Sequence, residues 1–288
     1  LGFFDDRLLV TAGLRRQQLV VQGYSYAPYG SGSRNASYDE SITTPVYGIV
    51  FKPWEHVSFY ANLIEGLAQG PTSPTSTGGL RVTNGNEVYA PARSKQTEAG
   101  VKVDMGTYGA SLGVYRIEQP SDGYCEINSA TTCTYVREGE QINKGVEMNV
   151  FGEPIQGLRL ITGLTLMDTE LKNTLNGAND GNRAIGVPTF QFNAGADWDV
   201  PGLQGVALNA RMLRTGGQYA DAANNLSLPT WNRFDAGARY AFKVSQKDVT
   251  LRLGVENLAN KKYWESAQGG YLTQGEPRVA KLSGTIDF

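Results

Sequence analysis

The chain is predicted to be all-β, an antiparallel, transmembrane, up-and-down barrel wall of about twelve strands, and three observations predict it. Apolar and polar residues alternate with period two over stretches of about nine to eleven residues, the length a tilted strand needs to cross a bilayer. The connections between these stretches alternate strictly between tight turns and long loops. Aromatic residues on the apolar face gather at one end of the strands. A soluble sandwich has no reason to sort its connections by length, whereas a barrel that crosses a membrane turns tightly on one side and loops widely on the other.

Taken in order, the first strand spans 7–24, with Leu8, Val10, Ala12 and Leu14 on one face. A polar loop rich in Tyr, Ser and Gly follows. Strands 42–52 and 57–66 flank the tight turn Pro53-Trp54-Glu55-His56. The longest loop, 67–93, is full of Gly, Pro, Ser and Thr and reads as flexible surface. Strands 94–104 and 107–119 form a hairpin around Met105-Gly106, and 134–152 and 158–170 pair across 153–157. The remaining strands are 187–200, 206–219, 229–242, 248–260 and 275–288. In 249–256 and 280–288 apolar or small residues alternate with mostly polar or charged ones.

Composition is consistent with this reading but does not carry it. The mean hydropathy of -0.33 and the lack of a long apolar run exclude a helical membrane span. They do not exclude a barrel, whose strands expose apolar groups only at alternate residues. With 35 Gly and 15 Tyr among 288 residues the chain suits many turns and strands, and a net charge of -2 gives no reason to expect a nucleic-acid partner.

The apolar face carries Phe51, Tyr108, Trp198, Tyr240, Phe242 and Phe288 at strand ends on the tight-turn side, as expected of an interfacial girdle. The opposite face carries charges of both signs, among them Glu98, Lys102, Glu147, Arg159, Asp197, Arg211, Asp235, Arg252, Glu256 and Lys281. In a soluble β domain these would form a solvated surface. In a barrel they line the lumen.

Cys125 and Cys133 share one polar loop, with a spacing that matches no zinc motif. A disulfide on the oxidising side of the membrane is the preferred reading, two free thiols the alternative. His56 is the sole histidine and sits in a turn, so neither a His-dependent hydrolase nor a metal site is expected. Candidate ligand-binding residues are therefore aromatic: Tyr115, Tyr135, Tyr219 and Trp231 point inward by parity near the loop ends of their strands, and Tyr263, Trp264 and Tyr271 occupy the last loop. Stiff rings with a polar handle suit a bulky, partly apolar ligand, although outer-girdle or loop packing accounts equally well for any one of them.

Several motifs carry a family resemblance. Val255-Glu256-Asn257-Leu258, then Asn260-Lys261-Lys262-Tyr263-Trp264, Gly275-Glu276-Pro277-Arg278 and Asp287-Phe288 resemble the end of a TonB-dependent siderophore receptor of the bacterial outer membrane. Tyr89-Ala90-Pro91-Ala92-Arg93-Ser94 leading to Glu98-Ala99-Gly100-Val101-Lys102 is similar to one of that family's strands, and Gly145-Val146-Glu147 to another. The stretch 198–240, with Gln218-Tyr219-Ala220-Asp221 and Leu228-Pro229-Thr230-Trp231, resembles receptors for ferrichrome-like hydroxamate siderophores. The resemblance implies the last twelve strands of a 22-stranded wall, with residues 1–288 its C-terminal portion and the plug domain and early strands absent. It also implies a ferric siderophore as cargo rather than cofactor, the inner-membrane TonB complex acting through the plug, outer-membrane lipid around the wall, and no enzymatic activity. Other readings stay open: a complete twelve-stranded barrel, a passive porin-like channel, a soluble β-rich binding protein, or uptake of a catecholate siderophore or haem.

Overall fold

Strands form here because β-branched and aromatic side chains face one way while charged or small ones face the other, a pattern that only a pleated backbone keeps in step. The computed structural model describes residues 1–27, 30–34, 38–121, 123–268 and 271–287. One sheet holds 13 strands in the order of the sequence. Its first strand is only Gly2–Phe3. The rest form the wall: β1 (Leu8–Val21), β2 (Tyr38–Trp54), β3 (Val57–Ala68), β4 (Ala92–Asp104), β5 (Tyr108–Pro120), β6 (Glu140–Ile155), β7 (Leu158–Lys172), β8 (Phe190–Asp199), β9 (Val206–Thr215), β10 (Trp231–Val244), β11 (Lys247–Glu256) and β12 (Val279–Ile286). All neighbours are antiparallel. No ladder among the described residues joins β12 back to the first strands.

One rim carries the turns 55–56, 105–107, 156–157, 200–205 and 245–246, and the other carries 22–37, 69–91, 121–139, 173–189, 216–230 and 257–278. The expected sorting of connections is therefore present, with 200–205 the longest of the turns. In one of the two-residue turns, Ser245 and Gln246 both adopt left-handed φ, 48° and 68°, the twist a two-residue hairpin favours.

The outward face is apolar and bare: Leu112, Val114, Leu208, Leu251 and Leu253 are all exposed. Left in water, such a surface would forfeit about 25 cal/mol per Å². Lipid removes that cost. Phe51, Tyr108, Trp198 and Tyr240 stand exposed at the turn rim of the same face, and Tyr240 stacks on Phe242 at 4.9 Å. Phe288 lies outside the described residues. The most buried side chains sit mainly in the loops and at the loop-rim ends of strands, among them Cys133, Ile142, Ala184, Asn257 and Ala267. Among the described residues no second large sheet packs on the wall.

On the inward face large rings lie over glycines. The Tyr60 hydroxyl would stand 2.7 Å from a Cβ on Gly100, and the Tyr115 hydroxyl 2.4 Å from one on Gly145. A tyrosine thus fills the gap its glycine neighbour leaves on the pleat.

Several strand ends differ from the sequence expectation, each for a local reason. β8 starts at Phe190 rather than 187, because Pro188 has no N–H to give a ladder. β9 ends at Thr215, where Gly216-Gly217 breaks the run, so Tyr219 falls in a separate two-rung hairpin with Ser227–Leu228. β11 stops at Glu256 because Asn257 turns left-handed, φ 51°. β6 begins at Glu140, and the residues expected as its start, from 134, belong instead to Thr132–Val136, which pairs with Tyr124–Ile127.

Loop 69–91 is not the flexible surface its composition suggests. Its strands Ser76–Thr77 and Leu80–Val82 join those of loop 121–139 in a four-stranded sheet, through the parallel rungs Thr132↔Arg81 and Cys133↔Val82. Asn84 clamps Tyr135, accepting from its N–H and donating to its carbonyl, both at 2.9 Å. A disulfide joins Cys125 to Cys133.

Candidate functional site

Charged inward residues pair across strands rather than along them, as cross-strand register requires. Arg159 on β7 holds both Asp197 and, at 2.8 Å, Asp199 on β8. Arg239 on β10 reaches Asp199 at 3.2 Å. Further toward the loop rim, Arg211, Arg233, Asp235, Glu256 and Lys281 tie β9 through β12 together, with Arg211 to Asp235 at 2.6 Å and Lys281 to Glu256 at 2.6 Å. Most of these groups are a third or more exposed, so each pair contributes no more than about 1 kcal/mol. Their importance is to line the lumen with charge of both signs. Arg252 lies directly opposite Arg239 and donates to Thr285 Oγ1 at 3.4 Å.

Asp235 is the exception in depth. It is buried, takes both Nε and Nη2 of Arg233 at 2.9 and 3.0 Å, and accepts the Asn257 N–H at 2.8 Å. Asn257, 1% exposed, in turn donates to the carbonyls of Lys261 and Glu276 and accepts the Lys261 N–H, all at 2.9 Å. The two ends of loop 257–278 are thereby fastened to the lumen wall.

The seven aromatic candidates divide into three places. Trp231, at the start of β10, stacks on Tyr263 at 4.4 Å and 29°, and both are buried. Trp264 and Tyr271 stand exposed on the hairpin Trp264–Gln268 and Tyr271–Gln274 beside them. Tyr219 belongs to the same part of the rim, its carbonyl accepting the Gly186 N–H at 2.9 Å. Tyr135 sits elsewhere, in the loop sheet, edge-on to Tyr89 at 5.8 Å. Tyr115 lies lower, within β5 opposite Glu98 and Gly145. The expectation that Tyr135 and Tyr219 end wall strands is therefore corrected: both ride on loop hairpins above the wall.

Between β8, β9 and the start of β10, at the loop rim, opens a cleft of about 350 Å³ lined by Gln191, Asn193, Thr215, Gln218, Trp231 and Ser266 among others. Trp231 Nε1 and Gln218 Oε1 are buried without a hydrogen-bond partner, each at a cost of about 1–3 kcal/mol. Gln191, Asn193, Thr215 and Gln218 escaped the sequence reading, which looked for rings. For Gln191, Asn193 and Thr215, parity with the inward charges of their own strands was the signal available; Gln218 lies in a separate hairpin and carried none.

Electrostatics in the loops is local. Burial, with Glu87 close by, pushes the Tyr89 phenol above its ordinary range. The backbone N–H and then the hydroxyl of Thr174, both donating to Asp180 Oδ1 at 2.8 Å, hold the Asp180 carboxyl below the usual carboxylate range. Among the described residues no cluster of His, Cys, Asp and Glu could hold a metal ion.

A family model for the TonB dependent receptor-like β-barrel matches residues 2–258. The chain belongs to that family. TonB-dependent receptors are outer-membrane proteins of Gram-negative bacteria and transport receptors rather than enzymes. The ferrichrome receptor FcuA of Yersinia enterocolitica is 40% identical over 100% of this chain and 37% of its own length. The crystal structure of BauA, the ferric preacinetobactin receptor from Acinetobacter baumannii, superposes with a TM-score of 0.84 at 37% identity, covering 100% of this chain and 41% of that one. The siderophore receptor PiuA from the same species gives a TM-score of 0.75 at 24% identity over 97% of this chain and 40% of its own, which speaks to the fold alone. The chain thus spans about two-fifths of the length of these TonB-dependent relatives.

Proposed function

We propose that this chain is the C-terminal portion of the barrel wall of an active-transport receptor that carries a ferric siderophore, of hydroxamate or ferrichrome type, across the outer membrane. The observation that carries the reading is identity of 40%, sustained over the whole chain, to a protein named for ferrichrome. The lumen, lined by paired charges of both signs, suits a wall filled by another polar domain rather than an open, single-sign pore. In this reading residues 1–288 belong to a 22-stranded wall, a plug domain and the early strands lie upstream, and the inner-membrane TonB complex works through that plug. The ferric chelate is cargo and no resident cofactor is needed.

The ligand would meet Trp231, Tyr263, Trp264, Tyr271 and Tyr219 on one side of the mouth, Tyr135 on the other, and Tyr115 below. Replacing Trp231 and Tyr219 together by Ala in the full-length receptor weakens binding of its ferric siderophore; unchanged affinity removes both from the site. Growth of a deletion strain on single iron sources tests the function directly: loss of growth on ferric ferrichrome alone supports the reading, and undiminished uptake of labelled ferrichrome refutes it. A second reading, a different chelate, is favoured by the 37% identity to a receptor named for ferric preacinetobactin, and the same growth panel separates the two. A passive porin-like channel would instead conduct ions freely in planar bilayers.

A further inference from the structure

On the lumen face of β7 to β12, carboxylates are shared between cations. Asp197 and Asp199 each lie between Arg159 and Arg239, Asp235 between Arg211 and Arg233, and Glu256 between Arg233 and Lys281. The register adds a further arginine. Arg252 stands directly opposite Arg239, and its hydrogen bond to Thr285 Oγ1 does not offset its charge. Like charges directly opposite each other on a sheet repel, with their Cβ atoms about 4.5–5.5 Å apart. At that spacing one anion in front of the pair can reach both guanidinium groups and turn the repulsion into attraction.

A cavity of about 730 Å³ opens in front of this pair, its charged lining made of Arg159, Arg239, Arg252 and Lys281 with Asp197 and Asp199. Cations therefore outnumber carboxylates there, and both carboxylates are already held by Arg159 and Arg239. These groups can be reached: Arg252 and Lys281 are exposed and Arg239 is half-buried. The floor beside them is bare. One pleat period nearer the loop rim, Gly237 stands opposite Gly254 and Gly254 opposite Lys281, and a Cβ on Gly254 would meet nothing within 4 Å. A side chain entering from the lumen thus finds room over Gly254, with Arg252 on the same strand and face and Lys281 alongside.

The set is completed by one anion carried on a chain. A carboxylate matches the guanidinium fork, and because exposed pairs are worth little each, a free ion would be held weakly where a tethered one is held well. We propose that this cavity receives an Asp or Glu side chain of the plug domain, its carboxylate seated among Arg252, Arg239 and Lys281. The inference rests on the reading of the chain as the wall of a plugged transporter and deepens it. It names the wall residues that hold the plug on the β8 to β12 side and the chemistry of the group they hold.

The test uses the full-length receptor in detergent. Arg252→Lys keeps the charge and adds an amine, which a water-soluble carbodiimide joins to a carboxylate in contact with it; an arginine, protonated throughout, does not couple. Digestion and mass spectrometry should find residue 252 linked to an Asp or Glu outside residues 1–288, a link absent from the wild type. With that acid identified, Arg252→Glu should open the lumen at a lower urea concentration than the wild type, read as conductance in planar bilayers. Replacing the acid by Lys in the same chain should restore the wild-type value, which a purely structural role for Arg252 would not allow. If Arg252→Glu fails to fold, the cross-link decides alone. Links from residue 252 that run only to wall carboxylates such as Asp199, no link at all, or an opening that neither shifts nor is restored overturns the proposal and leaves the cavity to mobile anions. A wild-type receptor that conducts as a wide open pore overturns the plugged-transporter reading itself, and this inference with it.

Discussion

Asp235→Ala should release loop 257–278 from the lumen wall, and the cost can be built from the contacts the carboxylate makes. Removing it orphans the Asn257 N–H, held at 2.8 Å beside a side chain only 1% exposed, a loss of about 1–3 kcal/mol. It also strips Arg233 of its bidentate partner. A fully buried charge so abandoned loses about 3–5 kcal/mol, but Arg233 keeps Glu256 at 3.6 Å and faces a hydrated lumen, which reduces that part to about 1 kcal/mol. Together the expected loss is about 3 kcal/mol. Arg211→Ala removes the half-exposed partner of the same carboxylate and should cost less than about 1 kcal/mol. Guanidinium unfolding of the full-length protein in detergent measures both, and limited proteolysis reports the loop. New cleavage within 257–278 in Asp235→Ala, with none in Arg211→Ala, is the expected pair of results. Equal, small losses in the two variants with the loop still protected would refute the fastening role given to Asp235.

Val114→Arg places a charge in the middle of the outward face between Ala99 and Val146 and should destabilise the barrel by about 2–4 kcal/mol; a neutral result in detergent-to-bilayer folding titrations would show the face to be wrongly assigned. Gly145→Ala should be strongly destabilising, since its Cβ would meet the Leu166 carbonyl at 2.5 Å and the Tyr115 ring, whereas Gly254→Ala meets nothing within 4 Å and should change the unfolding midpoint little. Because the Asp180 carboxyl is held below its unfolded value, its contribution to loop 173–189 is fully present above the ordinary carboxylate range, about pH 4, and is lost as pH falls through its lower folded value. Amide exchange at Thr174 should therefore stay slow at pH 5 and quicken at more acid pH, and in Asp180→Ala it should be fast throughout.

The wall was legible because period-two alternation is a direct readout of the pleat, and every strand of it was found at the right place in the order. Its ends were less so. Pro188, Gly216-Gly217 and Asn257 each end or delay a ladder by local backbone chemistry, and the alternation around them continues as if the strand did. The disulfide loop misled for a different reason: Thr132–Val136 alternates as well as any wall segment, but its partners are Tyr124–Ile127 and a second loop distant in sequence. The mouth was read through its rings, which sequence displays plainly. The amides of Gln191, Asn193 and Gln218 gain meaning only once β8, β9 and β10 lie side by side.

The joint sheet of loops 69–91 and 121–139 gives part of the loop rim a shared backbone. A residue inserted into Leu80–Val82 shifts the rungs at Arg81 and Val82, and with them the clamp that Asn84 places on Tyr135. The two loops therefore cannot drift in length independently. A change of length in one is therefore answered only by a matched change in the other, whereas among the described residues the hairpin of Gln218–Tyr219 with Ser227–Leu228 shares no ladder with this sheet.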